Sequence, residues 1–140
     1  MAEINPPASA AMAVAASALR AQQARMRIIA ENLANADSTA STAGGDPYRR
    51  QTAVIQTQVL AGGVKGVAIT RVEQDQTPFR QEFQPGNPAA DTQGYVKMPN
   101  IEPMVEALDM REAQRAYDAN ISVIETARSM DTRTLDLIKR

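Results

Sequence analysis

Several short stretches of the chain hold residue types that do chemistry in other proteins. Gly62-Gly63-Val64-Lys65-Gly66 has the small, basic character of a loop that cradles phosphate with backbone N–H groups. It lacks the GxxxxGK[ST] spacing and lies between two strand-like runs, not ahead of a helix, so a hairpin turn is the stronger reading. Glu73 and Asp75 are two apart and share a face if the strand continues, which suits a carboxylate pair for hydrolysis or a divalent ion. Nothing else in the sequence converges on them, and a solvated strand end explains them as well. Arg49-Arg50 would suit a phosphate or an acidic partner, but adjacent residues of a strand point to opposite faces. The Asn120-Ile121-Ser122 sequon falls inside a helical pattern and reads as accidental. The chain has no Cys, His or Trp, which excludes thiolate chemistry, disulfides, imidazole acid/base catalysis and His- or Cys-ligated metal sites. The expectation is a protein with no catalytic residues, no cofactor and no metal.

The elements that frame these stretches are set by glycine and proline. All 7 Gly lie between Gly44 and Gly94, and no Pro occurs between Ala8 and Ala43 or after Pro103. Two breaker-free flanks rich in Ala, Arg, Glu, Gln, Leu and Met, which are strong helix formers, therefore enclose a turn-rich middle. In the first flank Met12, Ala15, Leu19, Gln22, Met26, Ile29, Leu33 and Ala36 alternate spacings of three and four, the seam of a coiled coil. Asn5 and Pro6 suit its N-cap and first position. The second flank repeats the spacing in Met110, Ala113, Tyr117, Asn120, Ile124, Ala127, Asp131, Thr134 and Ile138. A neighbouring stripe, Ala116, Val123, Met130 and Leu137, widens that face and predicts a helix touching more than one neighbour. Asn100, with Pro103 in the first turn, marks its start. The helix-packing residues are thus Met12, Leu19, Gln22, Met26, Ile29 and Leu33 on one side, with Met110, Tyr117, Asn120, Ile124, Met130, Leu137 and Ile138 on the other. If paired positions of antiparallel helices sum to roughly 140, Gln22 and Asn120 lie about level and hydrogen-bond, within one subunit or across two, fixing register.

The middle predicts strands over Tyr48–Leu60, Val64–Val72 and, more briefly, Phe79–Phe83, with turns at Gly62-Gly63 and Pro85-Gly86-Asn87-Pro88. The fold class is α+β: long N- and C-terminal amphipathic helices, packing antiparallel and with neighbouring subunits, with a small β domain inserted between them. The division would be a discontinuous helical domain, 1–37 and 99–140, and a β-rich domain, 38–98.

Composition says what such a chain needs. It has 25 Ala against 26 Leu, Ile, Val and Phe together, so its seams approach closely but bury little area per residue, at roughly 25 cal/mol per Å². A weakly packed fold, or one completed by partners, follows. A net charge of −1 gives no basic field for nucleic acid. The run Ala8–Leu19 is too short to span a bilayer, and the residues before it include Glu3 and no Lys or Arg, unlike a signal peptide. A cytoplasmic coiled-coil adaptor or secretion chaperone would share these features.

The same residues resemble the axial proteins of the bacterial flagellum, in particular its rod subunits. The first helix ends in Asn32-Leu33-Ala34-Asn35-Ala36-Asp37-Ser38, similar to the family's N-terminal signature. The middle carries Pro47-Tyr48-Arg49, then Pro85-Gly86-Asn87-Pro88 through Asp91, and Gly94-Tyr95-Val96-Lys97-Met98-Pro99-Asn100, the most specific stretch. Tyr117, Ala119-Asn120-Ile121, Ser129-Met130 and Thr134-Leu135 resemble the C-terminal motif. Asp118 stands where the family usually has Gln, and the 39–46 loop matches little. The resemblance implies a structural subunit of the proximal rod, exported unfolded through the flagellar type III apparatus and assembled in the periplasm. Its terminal helices would form an inner tube and its β region an outer layer, transmitting torque. Its partners would be other copies of itself, other rod proteins, the hook-basal body junction protein and the export apparatus, with no nucleic acid and no direct membrane insertion.

Overall fold

A computed structural model describes residues 7–139. Helix α1 (Pro7–Ala34) leads to strand β1 (Gln51–Val59), a 3-10 turn (Ala61–Gly63), β2 (Lys65–Gln74), β3 (Arg80–Phe83), β4 (Tyr95–Met98) and helix α2 (Pro103–Ile138). Helices thus flank a small β part, the mixed α+β class that the pattern of Gly and Pro predicts. The proposed Asn5–Pro6 cap lies outside the described residues. The β part forms two two-stranded sheets, β1 with β2 and β3 with β4. Among the described residues no helix is long and apolar enough to cross a membrane.

Three readings of the middle need correction. The strand predicted from Tyr48 begins only at Gln51, because Tyr48, Arg49 and Arg50 are engaged through their side chains. A strand was not expected at Tyr95–Met98, whose four residues lack a long alternating run; it forms by pairing antiparallel with β3, from Arg80 opposite Met98 to Phe83 opposite Tyr95. Asn100 is not a helix cap. Its Oδ1 accepts the Arg50 N–H, its Nδ2 donates to the carbonyls of Asp75 and Thr77, and α2 starts at Pro103, whose fixed φ suits a first helical position.

The chain gathers into two compact units, one made of the residues up to Met26, Val54–Arg71 and those from Glu112, the other of Arg27–Ala53 and Val72–Arg111. In the first, the fully buried positions include Ala15, Ser17, Ala21, Ala113 and Ala127, the small side chains that let elements approach closely. Gly66 belongs to the same device. A Cβ placed on it would lie 2.5 Å from the Ser17 hydroxyl oxygen and 2.6 Å from Leu60 Cδ1. That hydroxyl accepts the Val67 N–H at 3.1 Å and donates to the Val14 carbonyl at 2.7 Å, tying β2 to α1. The hairpin itself turns through Gly62 and Gly63 at φ 81 and 76, the left-handed region that glycine adopts without steric cost.

The second unit is built around Ala89, Val96 and Met98, with Ile28, Ile29, Ala36 and Ile101 also buried. Its long loop is organised by short polar side chains. Asn87 Oδ1 accepts the Ala89 N–H at 2.9 Å, and Asp91 Oδ1 accepts the N–H groups of Gln93 and Tyr95 at 2.8 and 3.0 Å. Helix α1 stops where the Asn35 amide donates to the Glu31 carbonyl at 2.8 Å, followed by turn bonds from Ala36 N–H to Leu33 O and Ser38 N–H to Asn35 O.

Candidate functional site

Within the second unit the side chain of Asn32, 1% exposed, uses its whole hydrogen-bonding capacity. Its Nδ2 donates to the Gln51 carbonyl at 2.8 Å and to Glu106 Oε2 at 3.1 Å. Its Oδ1 accepts the Gln51 N–H at 3.0 Å and the Tyr48 hydroxyl at 3.1 Å. An amide offers two donors and two acceptor sites, so one side chain in the last turns of α1 fixes the start of β1 and the first turn of α2 together. Glu106, fully buried, is shared with Arg50, whose Nε donates to Oε1. The Arg50 guanidinium also reaches Asp75 at 3.3 Å and Asp109 at 3.6 Å.

The electrostatics of this cluster are those of internal compensation. Burial works against the Arg50 charge, but the hydrogen bonds and charges of Glu106 and Asp75 outweigh it and push its pKa above the ordinary value. The Thr77 N–H, followed by Arg50, holds the Asp75 carboxyl below the usual carboxylate range. Burial, with Glu31 and Glu106 behind it, pushes the Tyr48 hydroxyl up. Arg49 is committed elsewhere. It donates to the carbonyls of Asp75 and Thr77 and lies over the Phe79 ring, 4.2 Å from its centre. The two arginines thus serve the fold's own carboxylates, carbonyls and ring. Among the described residues no three His, Cys, Asp or Glu side chains gather as a metal-binding group.

Sequence reasoning named Asn32, Tyr48, Asn100, Arg50 and Asp75 but missed Glu106. A signal existed: positions 106, 113, 120 and 127 continue the α2 seam at heptad spacing, so a carboxylate there faces the interior and needs a partner. The other motif residues sit around the cluster or in the loop. Pro99 is fully buried beside Asn100, and Pro47 precedes Tyr48. Leu33 is half-buried beside Asn32. Pro85, Gly86, Asn87 and Pro88 form the turn before β4. Gly94, at φ 85, lies under the Phe83 ring and Pro85. Tyr95 meets Phe83 edge to face at 5.3 Å.

The seam residues divide by exposure. Ile29 is buried, and Met12, Leu19, Gln22, Met26, Met110, Tyr117, Asn120 and Ile124 are half-buried. Met130, Leu137 and Ile138 are exposed. Contacts between the helices fix their register: Arg25 with Glu112 and Asn32 with Glu106 are pairs that sum to 137 and 138. Gln22 and Asn120 sum to 142 and are therefore about a helical turn out of step. Within the chain they do not bond: Asn120 Nδ2 donates to the Ala116 carbonyl at 2.7 Å, and Gln22 Oε1 is buried without a partner. Register is carried by Asn32 and Glu106 instead.

The face left uncovered is apolar. Val123 is 45% exposed, Met130 60% and Leu137 74%. Spaced by seven, they form one stripe, rotated roughly 40–80° from the buried Ala127 by helix geometry. In the first unit this stripe borders a groove of about 540 Å³ lined by Pro7, Ala8 and Ala11 and by α2 residues from Ser122 to Thr134. At the other end of α2, in the second unit, Met104, Val105 and Leu108 are also exposed. Burying one such side chain stabilises by about 1.5–3 kcal/mol.

Residues 12–40 match the family described as flagella basal body rod protein, and residues 92–137 the C-terminal family of flagellar basal body rod FlgEFG proteins. The chain is 48% identical over 134 residues to the flagellar basal-body rod protein FlgC of Agrobacterium fabrum, covering 95% of this chain and 96% of that one. It is 43% identical to the protein of the same name from Salmonella typhimurium (89% and 92% covered) and 32% identical to that of Bacillus subtilis (90% and 95% covered).

Proposed function

Since the chain belongs to the flagellar basal-body rod protein family, we propose that it is a non-catalytic subunit of the proximal rod. It is exported by the flagellar type III apparatus and assembled in the periplasm through its terminal helices. The observation that carries this reading is the Val123–Met130–Leu137 stripe with its groove. A helix that keeps one heptad stripe exposed after packing against its own chain has that stripe free for the helices of neighbours. Other copies, other rod proteins and the junction protein are those neighbours. The α1–α2 pair forms the inner layer and the β part the outer one. Torque passes through the Asn32–Glu106–Arg50 cluster, which holds the base of the β part to both helices.

The test is a chain carrying Leu137→Lys, expressed as the cell's sole copy, with basal bodies purified and analysed by mass spectrometry. Wild type should be recovered in basal bodies and the variant should be exported but absent from them. Recovery of wild type as a folded dimer in the cytoplasm, with none in basal bodies, would favour an adaptor or chaperone.

A further inference from the structure

With no Cys, His or Trp and 7 Met in the sequence, the thioether is the softest group this protein presents to an oxidant. The structure sorts those methionines sharply. Met98 is 5% exposed in the core of the second unit, whereas Met104 is 69% and Met130 60% exposed. Met12, Met26 and Met110 are half-buried. Among the described residues, the two open thioethers are also the two methionines that stand on uncovered apolar faces of α2. Met104 lies beside Val105 and Leu108, and Met130 lines the groove together with Val123.

We infer that Met104 and Met130 are oxidation sites, and that a peroxide acting on them converts the docking faces of the free subunit into surfaces that no longer bind. The step balances without further reagents. The O–O bond of hydrogen peroxide breaks, one oxygen forms an S=O bond to the thioether, the sulfur loses two electrons, and the other oxygen leaves as water. The product is a polar, chiral sulfoxide in place of a flexible apolar side chain. On an exposed helix it is solvated and costs the monomer little. Against an apolar neighbour its oxygen is buried without a donor, which disfavours docking. Met98 is protected by the same packing that makes it part of the core. The modification itself follows from exposure alone, while its effect on assembly rests on the reading of the α2 stripe as a docking face.

The test has two readouts. The isolated full-length chain is treated with hydrogen peroxide and sulfoxide is followed at each methionine by peptide mass spectrometry. Met104 and Met130 should oxidise roughly tenfold faster than Met98, as reactivity follows exposure; equal rates at all three overturn the site assignment. Separately, M104Q/M130Q, which imitates the sulfoxide's polarity, and M104L/M130L, which cannot be oxidised, are each expressed as the sole copy beside wild type and L137K. Incorporation of M104Q/M130Q into basal bodies should fall about tenfold or more, the loss of apolar burial at two sites. M104L/M130L should incorporate like wild type and keep doing so in peroxide-treated cells, where wild type loses incorporation. Normal incorporation of M104Q/M130Q while L137K is excluded overturns this inference and leaves the docking reading standing. Normal incorporation of both overturns the docking reading itself.

Discussion

Replacing Asn32 tests whether one buried amide joins three segments of the chain. In Asn32→Ala the Gln51 N–H and C=O and the Tyr48 hydroxyl lose their partner, and Glu106 loses one of its two donors. A buried polar group left unpaired costs about 1–3 kcal/mol. Gln51 and Tyr48 are only half-buried, so water recovers part of theirs, while Glu106 is fully buried and keeps Arg50. The sum is about 2–4 kcal/mol, a large share of an ordinary stability of roughly 5–15 kcal/mol. Asn32→Asp should be worse despite its near-identical shape. It loses both donors and sets a second carboxylate where Nδ2 now lies 3.1 Å from Glu106 Oε2, a like-charge contact in a buried site. Asn32→Asp combined with Glu106→Gln restores a donor across that gap and should recover about 1 kcal/mol or more relative to Asn32→Asp alone. Urea unfolding reads all of this: with a slope of about 2 kcal/mol per molar, the Asn32→Ala midpoint should fall by about 1–2 M. The reasoning is refuted if Asn32→Asp is no less stable than Asn32→Ala at neutral pH and the Glu106→Gln partner gives no recovery.

Other consequences are as direct. The lowered Asp75 pKa contributes stability that is present above its ordinary value of 3.8 and is lost as pH falls through its folded value. The raised Tyr48 pKa contributes below 10.0 and is lost as pH rises through its folded value. With no His, urea midpoints should change little between about pH 5 and 9 and fall on both sides, and Asp75→Asn should flatten the acid limb; an unchanged acid limb in that variant contradicts the assignment. Gly66→Ala, whose Cβ would meet the Ser17 hydroxyl at 2.5 Å, should cost about 1–3 kcal/mol by overpacking. The cost should shrink in a Ser17→Ala background, and thermal melts of wild type and the three variants in the cycle decide it. Leu33→Pro, in the last turn of α1, should cost about 3 kcal/mol or more by kinking the helix and abolish incorporation into basal bodies while export continues; normal basal bodies would contradict it.

The helices were legible because breaker-free flanks with heptad spacing admit few alternatives, and their bounds moved by only a few residues. The hairpin was legible from Gly62-Gly63 between two β-branched runs. Strand β4 was not, because four residues show no period and its partner β3 is as short; its pairing is decided by the loop bonds of Asn87 and Asp91, which no local pattern predicts. The register within one chain was missed for a related reason. Gln22 and Asn120 looked level because a connection leaving near residue 37 and returning near residue 100 puts level positions at a sum of roughly 140, whereas within the chain the alignment is set by Asn32 reaching Glu106 across 74 residues of sequence. Asn100 looked like a cap since Asn and Pro commonly open helices, yet its amide is taken by Asp75 and Thr77.

The bond pair between Asn32 and Gln51 has a consequence for how copies of this chain behave when crowded. By taking both the N–H and the C=O of Gln51, the amide occupies the outer edge of β1 as one residue of a neighbouring strand would. By alternation the next outward groups are at Ala53, Ile55, Thr57 and Val59, and among the described residues no strand lies beyond them. From Ile55 onward the strand is exposed. It carries no charged residue and no Pro, whereas β2 holds Lys65, Arg71 and Glu73. Charged side chains and Pro are the usual guards of a sheet edge. The ribbon therefore keeps an uncharged edge sealed only at its first residue, and any ordered packing of copies must either keep those edges apart or join them.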